Sequence, residues 1–103
     1  MTLLTKIHSF FGKQDLLIAL ERTNELLDQS ENSDWSSLSA GEIKTILERE
    51  IYKIKENQGF DKLELAVLYA PTSNIQETAM WNNWHEEYLK IVKISNRTKS
   101  FYK

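Results

Sequence analysis

Few side chains in this chain could carry out acid–base or metal chemistry. There are two histidines, His8 and His85, and no cysteine. Thiolate nucleophiles, disulfides and cysteine-ligated zinc are therefore excluded together. Carboxylate-bridged metal centres in helical bundles use Glu-x-x-His, but Thr5 stands three residues before His8 and Asn82 three before His85. The His-Glu-x-x-His zinc motif is missing too, because His85-Glu86-Glu87-Tyr88 continues into Leu89. His85 with Glu86 or Glu87 would supply a base and an orienting carboxylate. Adjacent helical residues point in different directions, however, so these groups do not share one proton path. The glycines stand singly at 12, 41 and 59 and build no phosphate-cradling loop. The expectation is a non-enzymatic protein with no catalytic residue, no metal ligand and no cofactor.

Recognition chemistry is better represented. The stretch from Tyr69 to Tyr88 concentrates Pro71, Met80, Trp81, Trp84 and His85 among the amides Asn74, Gln76, Asn82 and Asn83. Aromatic side chains and methionine anchor interfaces because they bury much area with little flexibility. Tyr69, Met80, Trp81, Trp84 and His85 are the candidate interaction residues on that ground. Trp84, Tyr88 and Ile91 also fall at the helical spacing of a core stripe. Trp81, three residues from Trp84 across an expected kink at Asn82-Asn83, is the better candidate for an exposed anchor. A second candidate surface is acidic: Glu21, Glu25 and Asp28 lie at i, i+4 and i+7 on one helical face.

Tyr69-Ala70-Pro71-Thr72, Ile75-Gln76-Glu77, Asn82-Asn83-Trp84 and Glu87-Tyr88-Leu89 resemble a pattern of small uncharacterised bacterial proteins. That pattern reads roughly aromatic-Ala-Pro-Thr-Gly, Leu-Gln-Glu, Asn-Gly-Trp and Glu-Phe, and it covers about a fifth of the chain. Ser73 and Asn83 depart from it, standing where it has turn-forming glycines. The resemblance implies a bacterial source and a family without an assigned function, and it transfers no catalytic residue.

These residues need elements to position them. A chain of 103 residues has the size of one domain with one core, and 11% aromatic residues argues against wholesale disorder. Three glycines and one proline are too few for the tight turns of a sandwich or barrel, which favours helices. Leu3, Leu4, Ile7, Phe10 and Phe11 predict a short first helix interrupted at Gly12. A second helix carries Leu16, Leu17, Leu20 and Leu27, with Ile18, Ala19 and Leu26 widening its stripe. Polar residues 29–37, broken by Trp35, read as a loop.

Ser39-Ala40-Gly41-Glu42 is a capping box, followed by Ile43, Ile46, Leu47, Ile51 and Ile54, with Gly59 as the expected left-handed stop. Asp61 to Glu64 predicts another cap, Phe60 a staple onto Leu65, and Pro71 an early end. An extended segment over Leu65–Tyr69 is the alternative there. Thr72-Ser73-Asn74 offers caps for a brief helix carrying Ile75, Ala79 and Met80. A last helix follows from Trp84, with cations in its final turns. The fold expected is all-α: a single domain over residues 1–103, a bundle of four to five helices, with a tail from about 97 that either frays or tucks Phe101-Tyr102 inward.

The longest apolar runs are far short of the roughly 20 residues of a membrane span, and no signal peptide is evident, so the expected location is the cytoplasm. The net charge of −2 hides an acidic middle and a basic end, Lys90, Lys93, Arg97, Lys99 and Lys103. The best reading is a protein-protein interaction domain whose partner is another protein or a second copy. One version is a toxin-neutralising immunity protein that uses the Glu21–Glu25–Asp28 face against a basic partner. Another is a nucleic-acid-binding regulatory module on the basic last helix, for which five cations in an acidic chain are a thin footprint. A small-molecule site at Trp81, Trp84 and His85 comes third.

Overall fold

A computed structural model describes the backbone of residues 3–97 and the side chains of residues 12–95. The element order is α1 (Leu3–Asp28), α2 (Ala40–Lys55), α3 (Lys62–Leu68), α4 (Asn74–Trp81) and α5 (His85–Arg97), and no strand occurs among the described residues. The all-helical expectation holds. The side chains of the first apolar stripe, His8 and Arg97 lie outside the description, as do Lys99 and the Phe101-Tyr102 tail.

The two helices expected on either side of Gly12 are one continuous helix, α1. A glycine inside a helix costs only about 1 kcal/mol relative to alanine, and no glycine of the chain takes a positive φ. That cost is too small to stop a helix whose downstream stripe, Leu16, Ala19, Leu20, Thr23 and Leu27, is buried. Ile18, counted with that stripe, is exposed instead. It flanks the core-facing side rather than sitting on it.

α2 opens with the capping box. The Ser39 Oγ accepts the Glu42 N–H at 3.0 Å, and a Glu42 carboxylate oxygen accepts the Ser39 N–H at 3.0 Å. Its far end does not use Gly59. Asn57 takes the left-handed conformation at φ 56°. The Asn57 N–H donates to the Ile54 carbonyl at 3.2 Å and the Gln58 N–H to the Lys53 carbonyl at 2.8 Å, a Schellman ending. Asparagine is the side chain other than glycine that enters this region at least cost, so it takes over the stop two residues early.

α3 has Asp61 as its cap, accepting the Glu64 N–H at 2.9 Å, and Phe60 packs against the core. The ambiguous run before Pro71 is helical. Leu65 and Leu68 are buried while Ala66 and Val67 face out, the period of a helix and not the alternation of a strand. After Pro71, Thr72 takes φ 59°, a rare conformation for a β-branched residue. Ser73 then caps α4, accepting the Gln76 N–H at 3.2 Å.

α4 ends as α2 does. Asn83 has φ 63°, its N–H reaches the Met80 carbonyl at 3.4 Å, and the Trp84 N–H reaches the Ala79 carbonyl at 2.9 Å. Asn83 thus occupies the turn position for which the resembled pattern uses glycine.

α1 is the central element, flanked by α2 and α5, with α4 packed against α5 and α2. One core joins Leu16, Leu20, Ile43, Leu47, Leu65, Ile75, Ala79 and Tyr88. Its polar members are bonded. Tyr69 donates its hydroxyl to Thr23 Oγ1 at 2.7 Å, and Thr23 donates to the Ala19 carbonyl at 2.8 Å. Glu50, fully buried, accepts the Asp61 N–H at 2.7 Å and the Arg49 Nε–H at 3.2 Å.

Candidate functional site

The loop between α1 and α2 contains no regular secondary structure, yet it is tied to the body on both sides of Trp35. Before it, the Asn82 carboxamide pairs with Glu31, accepting its N–H and donating to its carbonyl, each at 2.8 Å. The Trp84 Nε1–H donates to Ser30 Oγ at 2.9 Å. After it, Asn74 Oδ1 accepts the Ser37 N–H at 2.9 Å and the Ser36 hydroxyl at 3.1 Å. Within it, Asn32 Oδ1 accepts the Ala40 N–H at 2.9 Å, and a turn closes from Ser36 N–H to the Ser33 carbonyl at 3.3 Å. Trp35 sits on that turn with 77% of its surface exposed. The backbone is anchored and the indole is left in water.

Beside it, Met80 and Trp81 on the outer end of α4 are 54% and 43% exposed. Trp35, Glu77, Met80 and Trp81 line one open depression of about 400 Å³. A second, of about 330 Å³, adjoins it at Met80, Asn83, His85 and Glu86. Tryptophan and methionine are enriched in interface cores relative to the rest of protein surfaces.

The five aromatic-segment candidates separate into two groups. Met80, Trp81 and half-buried His85 border this surface. Tyr69 and Trp84 do not, which corrects their place among the interaction candidates: both are buried core members. Tyr69 stacks on Tyr88 with ring centroids 6.4 Å apart, and Trp84 seals the α4–α5 turn against Ser30. Trp81 and Trp84 would share a face in a continuous helix. The left-handed residue between them reverses the chain, so one indole points out and the other in. His85 stacks on Tyr88 at 6.2 Å, and its Nε2 lies 3.2 Å from Gln76 Nε2. Sequence reasoning passed over Trp35 because a lone aromatic in a polar loop has no periodicity. The available signal was the density of Ser, Asn and Asp around it, side chains that bond backbone groups and order loops.

The candidate acidic face is already occupied. Glu21 pairs with Lys55 at 2.8 Å, Glu25 with Arg22 at 2.9 Å, and Asp28 with Lys44. Arg22 also bonds Glu87 on α5, and the bonds to Glu87 and then Glu25 raise its pKa further. Asp28 likewise holds the Lys44 ammonium above its ordinary value. These exposed pairs stabilise little, and because Arg22 and Lys44 each serve two carboxylates they reduce the negative charge of the row without cancelling it. On α5, Lys90 and Lys93 are exposed, and Lys90 borders a depression with Asn83, Trp84, Glu86 and Glu87, two carboxylates beside one cation. Among the described residues no group of His, Asp or Glu is arranged to hold a metal ion, and no helix is long and apolar enough to cross a membrane. No protein-family model, no curated protein and no solved structure matches the chain.

Proposed function

We propose that this chain is a non-enzymatic bacterial protein-protein interaction domain, acting in the cytoplasm, and that its docking surface is the Trp35–Met80–Trp81 patch. One observation carries the reading: a loop bonded to α4 and to the α4–α5 turn on both sides of Trp35 holds that indole in water beside two further large apolar side chains. Leaving them exposed costs about 1.5–3 kcal/mol for each side chain that could otherwise be buried. Fixing the loop beforehand lowers the entropy a partner must overcome. The bacterial source rests on the resemblance of residues 69–89.

A photo-cross-linking amino acid placed at position 35 or 81 tests this, with position 52 as control, since Tyr52 is an exposed aromatic that lines neither depression. Adducts from 35 and 81 to the same protein, or to a second copy, and none from 52, are expected. Equal labelling from all three positions, or none from the patch, rejects the reading.

A further inference from the structure

The charges around the patch point to the chemistry of what covers it. Two chain segments meet there, residues 23–43 and 63–89, and neither contains a lysine or an arginine. Glu31, Asp34, Glu77 and Glu86 lie on those segments. Glu77 and Glu86 line the two depressions, Glu31 is held by Asn82 next to Trp81, and Asp34 precedes Trp35. No ion pair involves any of these four among the described residues, whereas Glu21, Glu25, Asp28, Glu48, Glu64 and Glu87 each face a cation. Among the described residues the carboxylates of Asp15, Glu42, Glu56 and Asp61 elsewhere are in no ion pair either, and Glu86 shares a depression with Lys90. What sets the patch apart is the absence of lysine and arginine from the two segments that carry it. Helix dipoles account for Glu77 and Glu86, each in a first turn. They do not account for Glu31 and Asp34, which are in a loop.

We infer that the occupant of the Trp35–Met80–Trp81 patch is a lysine- and arginine-bearing amphipathic segment of a protein partner, an inference that rests on the interaction reading above. Its apolar side packs on Met80 and the indoles. Its cations lie over the faces of Trp35 and Trp81, where the ring quadrupole attracts a cation within about 6 Å, and against the Glu77 carboxylate that lines the same depression. Burying that carboxylate against an acidic or neutral partner would leave it unpaired, which the basic one avoids. The Glu21–Glu25–Asp28 row differs in that each of its members faces a cation of this chain.

Titrating the ¹⁵N-labelled chain with two amphipathic helical peptides of about 20 residues tests this. Both share one Leu/Ala face; one has Lys and Arg on its polar face, the other Glu. The indole N–H signals of Trp35 and Trp81 report the patch, and that of Trp84, bonded to Ser30, is the internal control. The basic peptide is expected to move the first two signals and to bind about tenfold or more tightly than the acidic one, a gap that narrows as salt rises from about 0.05 to about 0.5 M. Trp35→Ala and Trp81→Ala should abolish binding, and Glu77→Gln should weaken it several-fold. Glu25→Gln, on the paired face, should leave it unchanged.

Equal binding of both peptides, lost in Trp35→Ala, overturns the basic partner while the docking surface stands. Concentration-dependent dimerisation through the patch in sedimentation, with no preference for the basic peptide, does the same in favour of a second copy. Basic-peptide binding that ignores Trp35→Ala and Trp81→Ala overturns both readings. Absence of any shift at Trp35 and Trp81 overturns the basic-partner inference.

Discussion

The Asn82 side chain bonds both backbone groups of Glu31, 51 residues away in the chain, with its oxygen and its nitrogen each at 2.8 Å. The same nitrogen donates to the Thr78 carbonyl at 2.9 Å, so the end of α4 and the start of the loop are stitched by one carboxamide. The position of Trp35 depends on it. Removing the amide takes the partner from both backbone groups of Glu31, while the Thr78 carbonyl keeps the Asn82 backbone N–H at 3.1 Å.

Asn82→Ala is expected to cost about 1–2 kcal/mol in urea unfolding, the range for a partly exposed multiple hydrogen bond. Amide exchange should accelerate across residues 29–37 and stay slow in α2, because the loop opens locally before the core does. Uniform acceleration across the whole chain would show that Asn82 supports the core instead.

The three tryptophans should separate cleanly. Trp35→Ala and Trp81→Ala remove exposed side chains and should change stability by no more than about 0.5 kcal/mol. Trp84→Ala empties a core position and should cost about 3–5 kcal/mol. In single-tryptophan variants, acrylamide should quench Trp35 and Trp81 readily and Trp84 weakly. Shielding of Trp35 at all concentrations would contradict the exposed turn.

Glu50 is a buried carboxylate that closes the α2–α3 connection by accepting the Asp61 N–H at 2.7 Å. Glu50→Ala orphans that donor and leaves Arg49 and Lys53 near an empty site, at an expected cost of about 3 kcal/mol. Glu50→Gln keeps an acceptor of the same reach and should cost about 1 kcal/mol. Thermal unfolding of both variants checks the order; equal losses would show that the charge, not the hydrogen bond, holds the connection.

Stability should fall at both ends of the pH scale for different reasons. The Ser39 backbone N–H, and then its side chain, hold the Glu42 carboxyl below its ordinary value. The contribution of the capping box is therefore present above the usual carboxylate range and is lost as the pH falls through the depressed value. Ser39→Ala should move the Glu42 carboxyl ¹³C titration upward. Burial raises the Tyr88 hydroxyl, against the hydrogen bond from Ser73. Its contribution is whole below the ordinary phenol value and is lost as the pH rises through the elevated one. Tyr88→Phe should flatten the alkaline limb of the stability profile, and an unchanged limb would assign that loss to lysines such as Lys44, raised by Asp28.

Local interactions were readable from the residue order because their physics is local. Ser39 and Glu42 satisfy the helix end that they begin, Asp61 caps α3 three residues before its bonded amide, and Pro71 limits that helix from outside. The stripes of α1, α2 and α5 followed from a period of 3.6, and with them the all-helical class. Gly12 and Gly59 misled because a glycine permits a break without requiring one; helix packing ran α1 through the first, and Asn57 preceded the second.

The surface could not be read in this way. Whether Glu21, Glu25 and Asp28 offer free charge depended on Lys55, Arg22 and Lys44, two of which lie on another helix. Trp81 faces out and Trp84 in because a left-handed Asn83 and a hydrogen bond to Ser30, 54 residues distant, decide it. Trp35 joins Met80 through amide clamps between residues 51 and 37 apart in the chain. Periodicity sets which side chains share one helix face. Which faces stay in water, and with what charge beside them, is set by pairings between residues far apart in the chain.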